Sequence, residues 1–146
     1  MQKRFFLAVV LIAALQILNT GCSKDNDDDP PTAKTKTELL TTGSWKFEKI
    51  DPALAESYIA CFTDNTITFS ADGKGTNLDG TVQCTTSTNT FNWNFTDSET
   101  KLHLDATIIP SGSENFTIVT LNETSLVLKQ DITSPLPATI TVTFKH

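Results

Sequence analysis

Thr90-Phe91-Asn92-Trp93-Asn94-Phe95-Thr96 is the stretch that decides the fold. Side chains alternate faces along a β-strand, so Phe91, Trp93 and Phe95 share one face while the Asn and Thr residues share the other. This is the signature of a strand with one dry and one wet side. The same period recurs upstream at Ser44–Glu48 and Thr66–Phe69. Downstream it recurs at Lys101–Asp105, Asn115–Ile118, Ser125–Lys129 and Thr139–Phe144. Lys74–Gln83 also reads as extended, although Gly75 and Gly80 weaken its alternation. The abundant threonine suits strands, because a branched β-carbon packs well on a pleated surface.

Turn signals separate these runs at Asp72-Gly73, Asp97-Ser98-Glu99, Ser111-Gly112 and Asn122-Glu123-Thr124. Short links favour pairing between strands adjacent in sequence. Only 51–62, 105–114 and 130–138 are long enough to cross a sheet end. The expected fold is therefore all-β, a small eight-stranded antiparallel up-and-down barrel, in preference to a Greek-key sandwich. One or two short helical turns accompany it. Asp51-Pro52 before Ala53-Leu54-Ala55-Glu56 predicts one, with Pro52 at its first position, and Glu38-Leu39-Leu40 predicts another.

The N-terminus reads differently. Lys3-Arg4 precede an apolar run from Phe5 to Leu18, followed by Thr20-Gly21-Cys22. A basic start, a short apolar stretch and a small residue at the cut describe a secretory signal. The run is shorter than the ~20 apolar residues a bilayer span needs. A cysteine at the cut points to a bacterial lipoprotein signal over 1–21, with Cys22 the lipidated (palmitate-type) residue and mature N-terminus. Asn19 departs from the leucine usual at its position in a lipobox. Several acyl chains anchor stably where one would be marginal, at about 0.8 kcal/mol for each buried methylene.

Residues 22–36 read as an acidic, disordered tether carrying Asp25, Asp27, Asp28, Asp29, Pro30 and Pro31. A calcium loop is excluded there, because Pro30 stands where a glycine is required and Lys36 where a bidentate Glu is required. Residues 37–146 then form one domain. The precursor carries a net charge of −6, and loss of Lys3 and Arg4 leaves about −8. With no basic cluster, such a domain is a poor nucleic-acid binder.

If Cys22 is lipidated, Cys61 and Cys84 remain as a pair. An oxidising compartment favours a disulfide between them, worth roughly 3 kcal/mol in the chain-entropy picture. A redox pair or a metal site is the alternative. No Cys-x-x-Cys is present, and the histidines are only His103 and His146.

Several of these residues resemble the lipocalin-like domain of Bacteroidetes outer-membrane lipoproteins. They are Gly43-Ser44-Trp45-Lys46, Cys61-Phe62-Thr63-Asp64-Asn65, Thr68-Phe69-Ser70-Ala71-Asp72-Gly73, Gly80, Cys84, Trp93 and Leu126-Val127-Leu128. The resemblance runs from about Leu39 to Phe144. It implies a small antiparallel barrel and assigns no chemistry. A lysine followed by acids after Cys22 likewise resembles the signal that sends such lipoproteins to the outer face of the outer membrane.

Enzyme signatures are absent: no nucleophile elbow, no phosphate loop and no histidine-rich metal spacing occurs. No catalytic residue, metal or cofactor is expected, and the protein reads as a non-enzyme. His103 falls on a polar strand face, Asp72 in a turn, and Asp64 beside Cys61 where it fixes the start of the next strand. Trp45, Phe47, Phe69, Phe91, Trp93, Phe95 and Phe116 are the ligand-lining or core candidates. An eight-stranded barrel is just wide enough to be filled by side chains or to hold one small ligand. Two functions follow: a surface-anchored binder of a small hydrophobic molecule, or a non-catalytic module with a filled barrel that meets a protein or glycan.

Overall fold

The computed structural model describes residues 32–54, 59–82, 90–134 and 136–146. Lys34–His146 is one compact unit. A short helix, α1 (Lys36–Thr41), precedes eight strands: β1 (Ser44–Asp51), β2 (Thr66–Phe69), β3 (Lys74–Leu78), β4 (Thr90–Thr96), β5 (Lys101–Leu104), β6 (Asn115–Leu121), β7 (Ser125–Ile132) and β8 (Ala138–Lys145). Each strand pairs antiparallel with its sequence neighbour. β8 returns to β1 and closes the barrel.

Alternation sets which face is dry. In β7, Leu126 and Leu128 are buried opposite Phe144 and Val142 of β8, and Ile132 of β7 and Ile140 of β8 are buried on the same inner face. Bulges carry two strands further than their alternation indicates. β1 continues to Asp51 because a bulge between Phe47 and Lys49 shifts the inward position to Ile50. β6 continues to Leu121 because a bulge between Ile118 and Thr120 does the same. A bulge inserts one residue on one strand and breaks the period locally.

Links alternate between the two ends of an up-and-down barrel. One end carries three tight turns: 70–73, 97–100 and 122–124. Asp72 Oδ1 accepts from the Lys74 backbone N–H at 3.2 Å in the first, and Gly73 supplies the positive φ it needs. In the last, Asn122 Oδ1 accepts from the N–H groups of Thr124 and Ser125 at 3.0 and 2.9 Å. The other end carries the long links between β1 and β2, β3 and β4, β5 and β6, and β7 and β8.

α1 closes the tight-turn end. Thr35 and Glu38 form a reciprocal capping box that satisfies two backbone donors at its start. Leu40 is fully buried and its carbonyl accepts from Trp45 Nε1 at 2.9 Å. Lys36 Nζ donates to the Glu99 carbonyl at 2.6 Å, and Lys34 pairs with Glu123 at 2.7 Å. Lys34, Thr35 and Lys36 are thus held to the barrel rather than lying in a tether that extends to residue 36.

The helical turn predicted at Pro52 does not start there. β1 stays extended through Asp51, which pairs with Thr141, and Pro52, Ala53 and Leu54 are not helical. Ala55 and Glu56 lie outside the described residues, as do the expected signal and Cys22.

Candidate functional site

The barrel interior is built from the aromatic positions that alternation singles out. Trp45, Phe69, Phe91, Trp93 and Phe116 are buried, and Phe47 and Phe95 are partly buried against the same core. Four of them form one cluster of edge contacts. Phe69 meets Phe91 and Trp93 at ring-centroid distances of 5.6 and 5.8 Å, and Trp93 meets Phe95 at 5.4 Å. Such tilted pairs match the edge of one ring to the face of the next. Trp93 Nε1 donates to the carbonyls of Ser70 and Lys74 at 3.1 and 3.0 Å, which locks the indole to the first tight turn. A β-carbon on Gly75 would stand 2.2 Å from the Phe91 ring, so only glycine lets that ring lie across β3.

The remaining three stand apart from that cluster. Phe47 packs edge-on against Phe62 and Phe144 at 5.3 and 6.4 Å. Trp45 lies under α1 and against the His146 ring, 3.8 Å away. Phe116 pairs with Leu102 across β5 and β6. Each of these side chains occupies interior space.

Two polar residues share this interior. Asn77 on β3 and Gln130 on β7 are 3 % and 4 % exposed. Asn77 Oδ1 and both amide atoms of Gln130 have no hydrogen-bond partner among the described residues. Neither residue carries a sequence motif. The available signal was parity, because Gln130 stands two residues after Leu128 and two before Ile132, which makes it inward-facing.

The long-link end is organised by Asp64 and Asn65. Asp64 Oδ2 accepts from the backbone N–H groups of Thr81 and Val82 at 2.6 and 3.2 Å. Asn65 donates to Asp79 and accepts from the Gly80 N–H, both at 3.1 Å. Gly80 fits closely here, because a β-carbon would lie 2.3 Å from the Asp64 carboxyl carbon. Asp64 is thus a clasp between two links. Cys61 is engaged, and Cys84 lies outside the described residues.

Asp105 accepts from the backbone and side-chain N–H groups of Asn92, both at 2.6 Å. The side-chain bond, then the backbone one, holds its carboxyl below the usual aspartate range. His103 Nδ1 bonds Asn115 Oδ1 at 3.0 Å on the outer face, consistent with its polar-face placement. No group of three or more metal-binding side chains occurs among the described residues, and no helix among them is long and apolar enough to cross a membrane.

Residues 41–128 match the family described as a lipocalin-like domain. No curated protein matches the chain.

Proposed function

The chain belongs to the lipocalin-like domain family, and from that premise we propose that it is a lipid-anchored binding protein of the bacterial outer membrane. In this reading Cys22 carries the lipid and the domain faces the cell surface. The barrel interior takes a small hydrophobic ligand. The observation that carries the ligand is the aromatic cluster of Phe69, Phe91, Trp93 and Phe95 inside a closed eight-stranded wall. Closed barrels of this size have room for side chains or one small guest, and large aromatic faces suit an apolar guest. A disulfide between Cys61 and Cys84 belongs to the same reading. Cys61 being engaged with a partner supports it.

Two sequence features support the anchor. The apolar run before Cys22 is short, and the acidic stretch after it would hold the domain off an anionic surface. Replacing Cys22 with Ser tests it directly: the variant should leave the membrane fraction, and continued membrane association would refute lipidation at this residue.

A second reading has its own support. Trp45, Phe116, Leu102, Leu104, Leu126 and Leu128 are essentially inaccessible, so much of the interior is filled by the chain itself. Leu78, Val82 and Leu136 are exposed on the long-link side. A filled barrel that meets a protein or glycan through that end uses these features without a guest.

Native mass spectrometry on the protein from its own type of host separates the two. An apolar adduct lost on mild activation supports a carrier. A clean mass with no adduct supports the filled interaction module.

A further inference from the structure

The link between β5 and β6 is a loop whose two ends meet. The Leu104 N–H reaches the Glu114 carbonyl at 2.9 Å, which ties off residues 105–113 at a narrow neck. Asn92 pins Asp105 at that neck, and its carbonyl accepts the Asp105 N–H at 3.0 Å. A compact loop with joined ends can turn as one body while the strands it connects stay paired. Its tip folds on itself, with the Gly112 N–H donating to the Ile109 carbonyl at 3.0 Å. Ile108 and Ile109 are 7 % and 1 % exposed and belong to the barrel core, so the loop is a plug as well as a link.

The far limb of this loop is joined to β7 sparingly. The β6–β7 ladder ends at Thr117 opposite Lys129, and a single isolated bridge, Gly112 to Ile132, follows it. The Thr133 N–H adds a bond to the Ser111 carbonyl at 3.1 Å. Between these points residues 113–116 run beside only 130 and 131, and a cleft of about 720 Å³ stands at the gap. Two features make the closed position costly. Ser111 holds a φ of 54°, in the left-handed region that side-chain-bearing residues avoid. Gln130 faces inward between Leu128 and Ile132 with its amide against Gly112, where a β-carbon would stand 2.8 Å from Oε1 and 2.9 Å from Nε2. Neither amide atom has a hydrogen-bond partner among the described residues. A buried amide left unsatisfied destabilises the state that buries it.

We propose that residues 105–113 form a hinged plug that opens the barrel interior at its long-link end. Closed, the plug seats Ile108 and Ile109 in the core. Open, Gly112 lifts away from Gln130, water reaches the amide, and Ser111 is free to leave the left-handed region. Burial of the two isoleucines favours the closed form. Hydration of Gln130 and release of Ser111 favour the open one. An apolar residue at 130 would keep the first force and remove most of the second. The neck stays intact in both forms, because it continues the β5–β6 ladder. That the opening admits a guest rests on the carrier reading, whereas the opening itself does not.

The test is amide hydrogen exchange of the full ¹⁵N-labelled chain, followed by nuclear magnetic resonance at low urea concentrations. The Thr133 N–H spans the boundary that moves, and the Leu104 N–H lies at the neck that does not. Thr133 should exchange faster than Leu104, by about tenfold or more, and with little dependence on urea, as a local opening does. Gln130→Leu and the similarly shaped Gln130→Met should each slow Thr133 by about tenfold, because the closed form then strands no amide. Equal rates at Thr133 and Leu104 with the same urea dependence would overturn the proposal, since the loop would then open only when the barrel unfolds. A fast Thr133 that neither substitution slows would overturn it as well, by assigning the motion to fraying of the β7–β8 link alone. A missing adduct in native mass spectrometry removes the carrier reading and leaves the plug standing.

Discussion

The two ends of this barrel are closed by different means. At the tight-turn end, three short turns meet a helix whose Leu40 is buried beneath them, and Trp45 ties that helix to β1. At the other end, which carries the four longer links, Asp64 and Asn65 of the β1–β2 link grip residues 79–82 of the β3–β4 link. One end is sealed by a helix over three turns, and the other combines polar clasps with the buried link residues Ile59, Phe62, Ile108 and Ile109. Hydrophobic seals resist local opening, whereas exposed polar ties open at low cost. A barrel built in this way has a helix-sealed floor and a mouth whose outer ties are polar.

Removing the floor should cost most. Trp45→Ala deletes a fully buried indole and its bond to Leu40, and should destabilise the protein by about 3–5 kcal/mol in urea unfolding. A loss well under that range would mean α1 is not a seal. The mouth should respond less. Gly80→Ala drives a β-carbon into the Asp64 carboxyl and, at 2.7 Å, its carbonyl oxygen, and should cost about 1–3 kcal/mol. Its hydrogen-exchange effect should stay local to the 61–65 and 79–82 links, and exchange rising equally in α1 would erase the distinction between the ends. Thr35→Ala removes the helix cap alone and should cost about 1 kcal/mol by the same unfolding assay.

Acid provides the mildest test. The Glu38 carboxyl is held below its ordinary value of 4.5 by the Thr35 backbone and side-chain hydrogen bonds. That of Glu123 is held low by its hydrogen bond to Lys34. Carboxyls depressed in the folded state contribute stability that is fully present above their unfolded values and fades as pH falls through the folded ones. The helix should therefore loosen as pH drops below 4.5, read as faster exchange at the Leu39 amide, whose N–H bonds the Thr35 carbonyl at 2.9 Å. Asp105, held low by Asn92, should release in the same direction between β4 and β5, so both ends carry an acid-sensitive tie.

Much of this architecture was legible because period-2 alternation is a direct physical consequence of a half-buried strand. The Phe91, Trp93, Phe95 row, the Asp72-Gly73 turn and the helical turn at Glu38 all appear where their residue types require. Legibility failed at irregularities. Alternation breaks after Glu48 and after Ile118 because each strand carries a bulge there, and Ile50 and Leu121 follow their inward predecessors by three residues rather than two. β7 continues past Lys129 to Ile132, but Gln130 puts a polar side chain at an inward position and ends the apolar pattern early.

The pairing of β1 with β8, from Lys46 opposite Lys145 to Asp51 opposite Thr141, joins the first strand to the last. During synthesis, seven strands can form hairpins one after another, but the ring stays broken until Ala138–Lys145 leaves the ribosome. Until then β1 and β7 each present an open edge able to pair with another chain. A copy that stops before Ala138 would keep both edges permanently, which makes the final eight-residue strand the guard against end-to-end association of unfinished molecules.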